Sequence, residues 1–336
     1  MKIFQKLRCS MLMVFCMMCT TVGFATDLYV RPCGQAVGIK MYTDGLLVVG
    51  VSDVTDTSGK KIPTARNAGI KTGDIIISAN GKALQKTEDL YAVTENAENE
   101  ISLEIKRKDK PLTLTIDPVP TESGSRLGLW VRDSTAGVGT ITYISQDTKS
   151  FAALGHGITD VDTGNILSLK SGNILNCSQI SANKSKKGDI GELTCNFDGP
   201  DIGDVLVNSK CGIFGKTNAV PVSAGKEMRV ASANEVHEGS ASILCNVDSG
   251  GVREYDIEIK KISKAYPDDK ALVIEVTDPE LLKITGGIVQ GMSGSPIIQN
   301  DLFVGAVTHV FVNNPTRGYG ILGESMVENG LFKNSR

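Results

Sequence analysis

The sequence predicts a mainly β protein with two domains, an N-terminal α+β domain followed by a larger β-barrel domain. Short apolar runs bounded by Gly, Asn and Asp recur along most of the chain, which is typical of strands. A convincing helical pattern appears only in the first third. The proline-containing, polar stretch 118–125 then marks a linker between the two parts. The length of 336 residues is sufficient for two such domains.

The charge balance excludes a general attraction to nucleic acids. The formal net charge is -3, and the short basic runs 106–108 and 184–187 are interpreted as solvated turns. No nucleic-acid-binding motif accompanies them. We therefore expect no nucleic-acid partner.

Residues 1–25 form a predicted targeting segment. Lys2, Lys6 and Arg8 precede the apolar stretch 9–25, and Gly23-Phe24-Ala25 could serve as a small-residue signal-peptidase site. The length of the stretch lies between a signal-peptide core and a full membrane span. The segment is thus either a cleaved signal peptide or a single membrane anchor; we favour the anchor. In both cases we expect the protein to leave the cytoplasm.

The cysteines do not predict a metal site. Three of the eight lie in the leader, and the five beyond it cannot all pair with one another. No Cys-x-x-Cys pair with matching histidines is present, so we expect free or partly paired thiols and no metal or other cofactor. The five are Cys33, Cys177, Cys195, Cys211 and Cys245.

The first domain is predicted over residues 35–118. Apolar runs at 45–51, 74–78 and 101–105 indicate strands. A helix is expected to start near Thr87, because Glu88 and Asp89 would lie in its first turn, where the helix dipole favours acidic residues. This order of elements predicts a small sheet with one helix packed on it.

The segment from Ala68 to Ile76, followed by Asn80 and Gly81, resembles the Ala-Gly-(Leu/Ile)-x-x-Gly-Asp-x-(Ile/Leu) signature of PDZ domains. The resemblance implies a peptide ligand that adds as a strand beside the helix. It also places Val37, Gly38 and Ile39 at the loop that captures a peptide carboxylate. This segment departs from the family's Gly-apolar-Gly-apolar form, which favours an internal peptide segment as ligand. The alternative is a packing module without a ligand.

The second domain, predicted over 125–336, contains a candidate nucleophile. In Gly291-Met292-Ser293-Gly294 the glycines permit a sharp turn that exposes the serine hydroxyl. The same turn directs the N–H groups of Gly291 and Ser293 toward one point, as an oxyanion site requires. The alternative is a Gly/Ser-rich turn without chemistry.

A serine nucleophile needs a base and an acid that orients it, and the chain has only three histidines. His156 ends a strand of small residues and has glycine on both sides, so we predict it as the base. Asp278 is the candidate for the orienting acid. Asp160 and Asp162 compete for that role, and Asp278 has a second interpretation as the cap of a helix that begins at the following proline.

The order His156, Asp278, Ser293 and the pattern Gly-x-Ser-Gly-x-Pro resemble the chymotrypsin-like serine peptidases. Four stretches, 127–140, 154–160, 286–296 and 305–310, closely resemble the stage IV sporulation protein B serine peptidase family. The resemblance implies a chymotrypsin-like β-barrel peptidase domain behind the PDZ-like domain, with His156, Asp278 and Ser293 as its triad. It also places Thr308 and His309 at the specificity pocket. For His309 a core position is the alternative.

The family resemblance further implies a signalling role in spore formation. Such peptidases are exported from the forespore into the space between its two membranes. There they cleave a membrane-associated regulator, which activates an intramembrane protease and leads to processing of a late sigma factor. They also cleave their own N-terminal segment, although here only residues 26–31 separate the leader from the PDZ-like domain. The alternatives are a non-catalytic PDZ binding scaffold and a general envelope quality-control protease.

Overall fold

The computed structural model describes residues 27–108, 110–145, 149–160, 163–197, 199–218, 224–263 and 268–331. The predicted leader and Asp162 lie outside these residues. Within them, none of the helices has the length and apolar character needed to cross a membrane.

The described part of the chain is mostly strand. Its strands are β1 Tyr29–Pro32, β2 Ala36–Val51, β3 Val54–Thr55, β4 Lys61–Ile62, β5 Ile75–Ala79, β6 Lys82–Ala83, β7 Ile101–Arg107, β8 Lys110–Ile116, β9 Leu129–Ile144, β10 Ser150–Ala153, β11 Ser171–Asn176, β12 Ser178–Ala182, β13 Leu193–Asn196, β14 Asp201–Ser209, β15 Gly212–Thr217, β16 Met228–Arg229, β17 Gly239–Cys245, β18 Arg253–Ile262, β19 Leu272–Val276, β20 Pro296–Gln299, β21 Leu302–Val310 and β22 Arg317–Leu322. Its helices are α1 Thr64–Asn67, α2 Thr87–Thr94, α3 Pro279–Thr285 and α4 Gly323–Leu331, with a 3-10 turn at Asp268–Lys270.

Two closed barrels form the larger part of the molecule. In the first, β9, β10, β15, β14, β11 and β2 follow one another, and pairing of β2 with β9 closes the ring. In the second, β17, β18, β19, β22, β21 and β20 form a closed barrel. Apolar side chains of alternating strand positions fill the second barrel, among them Ile257, Ile259, Leu272 and Ile297. This arrangement confirms the predicted chymotrypsin-like β-barrel class.

The PDZ unit continues directly from the first barrel. The second half of β2 pairs with β5 through Leu46 and Leu47, and β7 and β8 extend that sheet. Helix α2 packs on it and buries Leu90 among apolar side chains of β2, β5 and β7. The predicted α+β domain with one main helix is therefore present. On the N-terminal side of this unit, strand β2 runs from the first barrel into the PDZ sheet without an intervening loop.

The structure corrects the prediction that Val37, Gly38 and Ile39 form a carboxylate-binding loop. These residues lie inside β2, where Val37 pairs with Asn176 of β11 on one side and with Gly139 of β9 on the other. Strands therefore border this segment on both sides, and no carboxylate-binding loop exists here. A PDZ carboxylate loop, if present, has to come from another part of the chain.

Candidate active site

The nucleophile loop lies between α3 and β20, and it is held by the other barrel. The hydroxyl of Thr140 on β9 donates to the Gly291 carbonyl at 2.8 Å, and the Thr140 N–H donates to the Ser293 carbonyl at 3.0 Å. Gly294 has φ +98°, and an added Cβ would come within 2.1 Å of the Thr140 carbonyl oxygen. A larger residue at 294 would therefore push the loop off β9. Thr140 was not predicted as part of the site.

The loop leaves two backbone N–H groups without an acceptor. The carbonyls of Gly291 and Ser293 both bond to Thr140, but neither residue's N–H donates to a group of the described residues. Gly291 has φ +95°, a conformation that favours glycine. These are the two N–H groups predicted to form the oxyanion site, and they remain available for a substrate oxygen.

His156 lies beside this loop, past the end of β10. His156 and Ser293 line the same cavity of about 470 Å³. The Nδ1 atom of His156 is 2.9 Å from the Gly157 carbonyl oxygen. Because a carbonyl can only accept, Nδ1 carries the proton and Nε2 keeps the lone pair. The backbone of Gly157 thus fixes the tautomer that a general base needs.

The environment of His156 favours its neutral form. Burial of the ring lowers the pKa of His156 below 6.5, with smaller opposing effects from the Gly157 hydrogen bond and the charge of Asp269. A neutral imidazole near pH 7 is ready to accept a proton.

The serine hydroxyl points away from this base. Ser293 Oγ donates to the Thr308 carbonyl oxygen at 2.5 Å, and no hydrogen bond joins it to His156 in the described chain. Nucleophile and base therefore share one cavity in a resting arrangement. Rotation about the Ser293 Cα–Cβ bond has to bring Oγ to Nε2 before attack.

Asp278 has the capping role instead of the orienting one, which corrects the triad prediction. One carboxylate oxygen accepts the Leu281 N–H at 2.9 Å, and the other accepts the Asp256 N–H at 3.4 Å. Pro279 follows as the first residue of α3. One oxygen is used by the first turn of this helix and the other by the backbone of β18, and Asp278 does not line the cavity of His156. Pro279, which directly follows Asp278, correctly indicated the helix cap.

The competing carboxylate Asp160 is also engaged elsewhere. Its side chain is 1% exposed, accepts from Arg132 at 2.9 Å and accepts the Thr163 N–H at 2.9 Å. Asp160 thus holds β9 and the loop after His156 together.

A carboxylate that was not predicted, Asp269, lies closest to the histidines. Its Oδ2 is 3.9 Å from Nδ1 of His309, and the ring of His309 lies 4.6 Å from that of His156. The backbone oxygen of Asp269 accepts from the Thr308 hydroxyl at 2.5 Å. No motif marks Asp269 in the sequence, because the contact joins a 3-10 turn to a strand about 40 residues later.

The two residues predicted for the specificity pocket, Thr308 and His309, do line the cavity with Ser293. His309 is half-buried, and burial together with the nearby His156 lowers the pKa of His309 to about 4. At neutral pH both imidazoles are therefore uncharged. The negative charge of Asp269 is the nearest stabilising charge for a proton on either ring.

A disulfide supports the segment just before Gly291. Cys177 and Cys195 are bonded and join β12 to β13. The same hairpin holds Gln290, whose carbonyl accepts the Leu193 N–H at 2.7 Å and whose N–H donates to Gly191 at 2.8 Å. The expectation of partly paired thiols is met for this pair. Among the described residues, no group of three or more His, Cys, Asp or Glu side chains is placed to hold a metal ion.

Substitutions at the two carboxylates separate these roles. We expect Asp278→Ala to lower the free energy of unfolding by about 1 kcal/mol and to leave kcat/KM unchanged, since it removes a helix cap. We expect Asp269→Asn to lower kcat/KM roughly ten- to a hundredfold, because one charge near the imidazolium is lost. The rate–pH profile of Asp269→Asn should also move to lower pH, since the charge of Asp269 raises the pKa of His156.

The free energy of unfolding is measured by denaturant titration of both variants, and kcat/KM is measured from their rates of peptide cleavage. A large rate loss in Asp278→Ala at unchanged stability would restore Asp278 as the orienting acid.

Two β-barrels, a serine loop held between them and a neutral histidine facing the same cavity define a chymotrypsin-like serine peptidase with a PDZ domain. The sequence model of the family described as SpoIVB peptidase S55 matches residues 123–327, and that of the PDZ domain matches residues 37–117. The chain belongs to the SpoIVB peptidase S55 family, because this match covers more than half of its length.

Similarity of the chain to curated proteins and to solved structures is absent or distant. No characterised protein sequence matches the chain. Among solved structures, the inactive form of the Rv3671c protease is 14% identical with a TM-score of 0.35, covering 60% of this chain and 85% of that chain. A serine-to-alanine mutant of Rv3671c from M. tuberculosis H37Rv is 14% identical with a TM-score of 0.31, covering 59% and 80%. The structure of GrC is 13% identical with a TM-score of 0.30, covering 60% and 88%. Similarity at this level carries no argument about activity.

Proposed function

We propose that this protein is a signalling endopeptidase of spore formation, exported across the forespore membrane, that cleaves a membrane-associated regulator between forespore and mother cell. The cleavage would lead to activation of an intramembrane protease and processing of a late sigma factor. The observation that carries the proposal is the family match over 123–327, with Ser293 and His156 inside it facing one cavity. The predicted leader supports export, either as a signal peptide or as an anchor.

The proposed reaction uses Ser293 as nucleophile and His156 as base. Once Ser293 Oγ turns from Thr308 to His156 Nε2, its proton passes to Nε2 while Oγ attacks the peptide carbonyl carbon. The N–H groups of Gly291 and Ser293 donate to the oxyanion. The imidazolium then gives its proton to the leaving amine as the C–N bond breaks. His156 next takes a proton from a water that attacks the acyl-enzyme ester, and it returns this proton to Ser293 Oγ as the acyl–oxygen bond breaks and the acid product leaves.

The orienting role in this reaction is divided between two groups. The Gly157 carbonyl holds His156 in the correct tautomer, and the negative charge of Asp269 stabilises the imidazolium across the ring of His309. Both contributions favour proton transfer from the serine. The charge acts over a longer distance than a direct carboxylate–histidine bond would.

The PDZ unit is proposed to select the substrate. A groove of about 540 Å³ lies between α2 and the start of β9. It is lined by Leu90 and Tyr91 of the helix and by residues 125–131. A peptide of the regulator, or the protein's own N-terminal segment, is the ligand class that this groove suits.

Substrate breadth tests the signalling role against quality control. We expect the purified protein from residue 26 onward to cut casein and unfolded proteins slowly, and to cut the extracytoplasmic part of one membrane regulator at few sites. Mass spectrometry of the products, including fragments of the protein itself, makes the comparison. Broad and rapid cleavage of casein would favour the quality-control alternative, and binding of the regulator without any cleavage would favour the scaffold.

A further inference from the structure

Strand β9 has one edge without a strand partner over most of its length. From Leu129 to Thr140 it pairs with β2 on one side. Strand β1 continues on that same side at Tyr143 and Ile144, and on the other side the partner strand β10 begins only at Ile141. Between Leu129 and Val138 no strand of the described chain covers this second edge, which we call the β9 edge. Uncovered strand edges accept an added strand.

The β9 edge passes two cavities. Its first residues, Leu129–Val131, line the groove of about 540 Å³ beside α2. Its last residues, 135–138, line the cavity of about 470 Å³ that contains His156 and Ser293. A single strand of the first barrel therefore borders both the PDZ groove and the active site.

The end of the PDZ groove at Leu127 and Gly128 has groups that can bind a carboxylate. Leu127 and Gly128 line the groove, and their N–H groups have no acceptor among the described residues. Gly128 has φ +65°, which turns the backbone at this point. Arg126 adds a positive charge, with its guanidinium 5.3 Å from the Tyr91 ring. Two free amides and one cation are the groups that recognise a terminal carboxylate.

The groove beyond this end is apolar. Leu90 of α2 faces it together with Leu127 and Leu129. Two aromatic side chains at its margin are uncovered, Trp130 at 64% and Tyr91 at 44% exposure. Exposed aromatic residues around an apolar groove are typical of a surface that another chain covers. The positive charge of Arg126 and the apolar lining are complementary to a peptide that ends in an apolar residue with a free carboxylate.

Helix α2 contacts β9 near the middle of the β9 edge. The Thr87 N–H, at the start of α2, donates to the Asp133 carboxylate on β9 at 3.0 Å. This bond links the helix to the strand. The groove therefore lies on the same strand as Thr140, the residue that holds the nucleophile loop.

We infer that one extended substrate occupies the whole β9 edge, with its C-terminal carboxylate at Leu127 and Gly128 and its scissile bond at Ser293. Its chain runs antiparallel to β9, since the carboxyl end lies at the start of the strand. From Leu129 to Val138 the edge has ten positions, about 30 Å at 3.3 Å per residue. The protein then cuts about ten residues before the C-terminus of its substrate. This inference rests on the proposed peptidase function.

Peptides of graded length test the spacing. One cleavable segment, taken from a product of the wild-type protein, is joined to Gly/Ser tails of 4, 7, 10 and 13 residues that end in valine. Each peptide is made with a free carboxylate and with a C-terminal amide. We expect kcat/KM to be highest near ten residues and to exceed that of the amide by at least about tenfold, because the tail acts as a second, linked binding site.

A charge variant separates the tail site from the active site. Arg126→Glu should remove the preference for the carboxylate and for tail length, so that the peptide with a free carboxylate and the amide are cut at equal rates. Lys110→Glu on β8, an exposed residue away from the groove, is the matched control and should retain both preferences.

Binding to Ser293→Ala, measured by fluorescence anisotropy, keeps the test independent of cleavage. Affinity should show the same optimum of length and the same dependence on Arg126. Rates and affinities that do not depend on tail length or carboxylate would overturn the inference while leaving the peptidase in place. If the wild type cuts no protein or peptide, the proposed function fails, and the anisotropy optimum of the Gly/Ser tails alone decides whether the β9 edge binds a carboxyl end.

Discussion

Ser293→Ala is expected to reduce peptide cleavage by about four to six powers of ten while leaving the fold intact. The hydroxyl is the nucleophile of the proposed reaction, and its removal leaves only the oxyanion N–H groups and substrate binding to act on the peptide. In the resting structure the hydroxyl makes a single hydrogen bond, to Thr308. Losing that bond costs little stability, about 1 kcal/mol.

Ser295→Ala is the matched control for this variant. Ser295 lies two residues further along the same loop, is fully buried, and its hydroxyl has no hydrogen-bond partner in the described part of the chain. The backbone bonds of Ser295 do not depend on its side chain. Activity should therefore persist in Ser295→Ala, as measured by single-turnover cleavage of a fluorogenic peptide. Equal cleavage by wild type and Ser293→Ala would show that another residue is the nucleophile.

His156→Ala is expected to lower kcat/KM by a similar factor, and the double variant with Ser293→Ala should be hardly slower than either single variant. The two residues act as one unit, because a serine without its base is not deprotonated. His237→Ala is the control, since His237 is exposed and lies outside the cavity. An additive loss in the double variant would mean that the two side chains act independently.

The pH dependence of cleavage by the wild type is expected to follow the protonation of His156. His156 must be neutral to accept the serine proton, so the rate rises with pH as the imidazole loses its proton. Burial lowers the pKa of His156. The midpoint of the rate profile is therefore expected below pH 6.5, with a plateau at neutral pH. A midpoint clearly above 6.5 would indicate that a nearby negative charge outweighs burial in the working enzyme.

Several features were predictable because the signal is local. Glycines on both sides of Ser293 specify a tight turn through contacts within a few residues, and the structure contains that turn with positive φ at Gly291 and Gly294. The two-domain, mainly β class followed from short apolar runs, whose period requires no knowledge of their partners. The cap at Asp278 was also readable, since proline directly after it marks the first helical position.

The prediction at Val37–Ile39 failed for a different reason. An alternation of apolar residues makes a strand but does not say which strands pair with it. Here that segment joined β9 and β11 inside a barrel, and residues 127–131, some ninety positions later, took the place beside the PDZ helix. Pairing over such a separation is determined by the packing of the whole sheet.

The fold class, the family resemblance and the two residues that we propose as nucleophile and base were readable from local sequence patterns. The acid near the histidines, the direction of the serine hydroxyl and the strand edge that is open to a peptide depend on how distant segments pack. Asp269 approaches His309 because a turn of the second barrel lies against β21. Thr140 holds the nucleophile loop because the barrels meet along β9. These contacts join residues between 40 and 151 positions apart, and no local pattern encodes them.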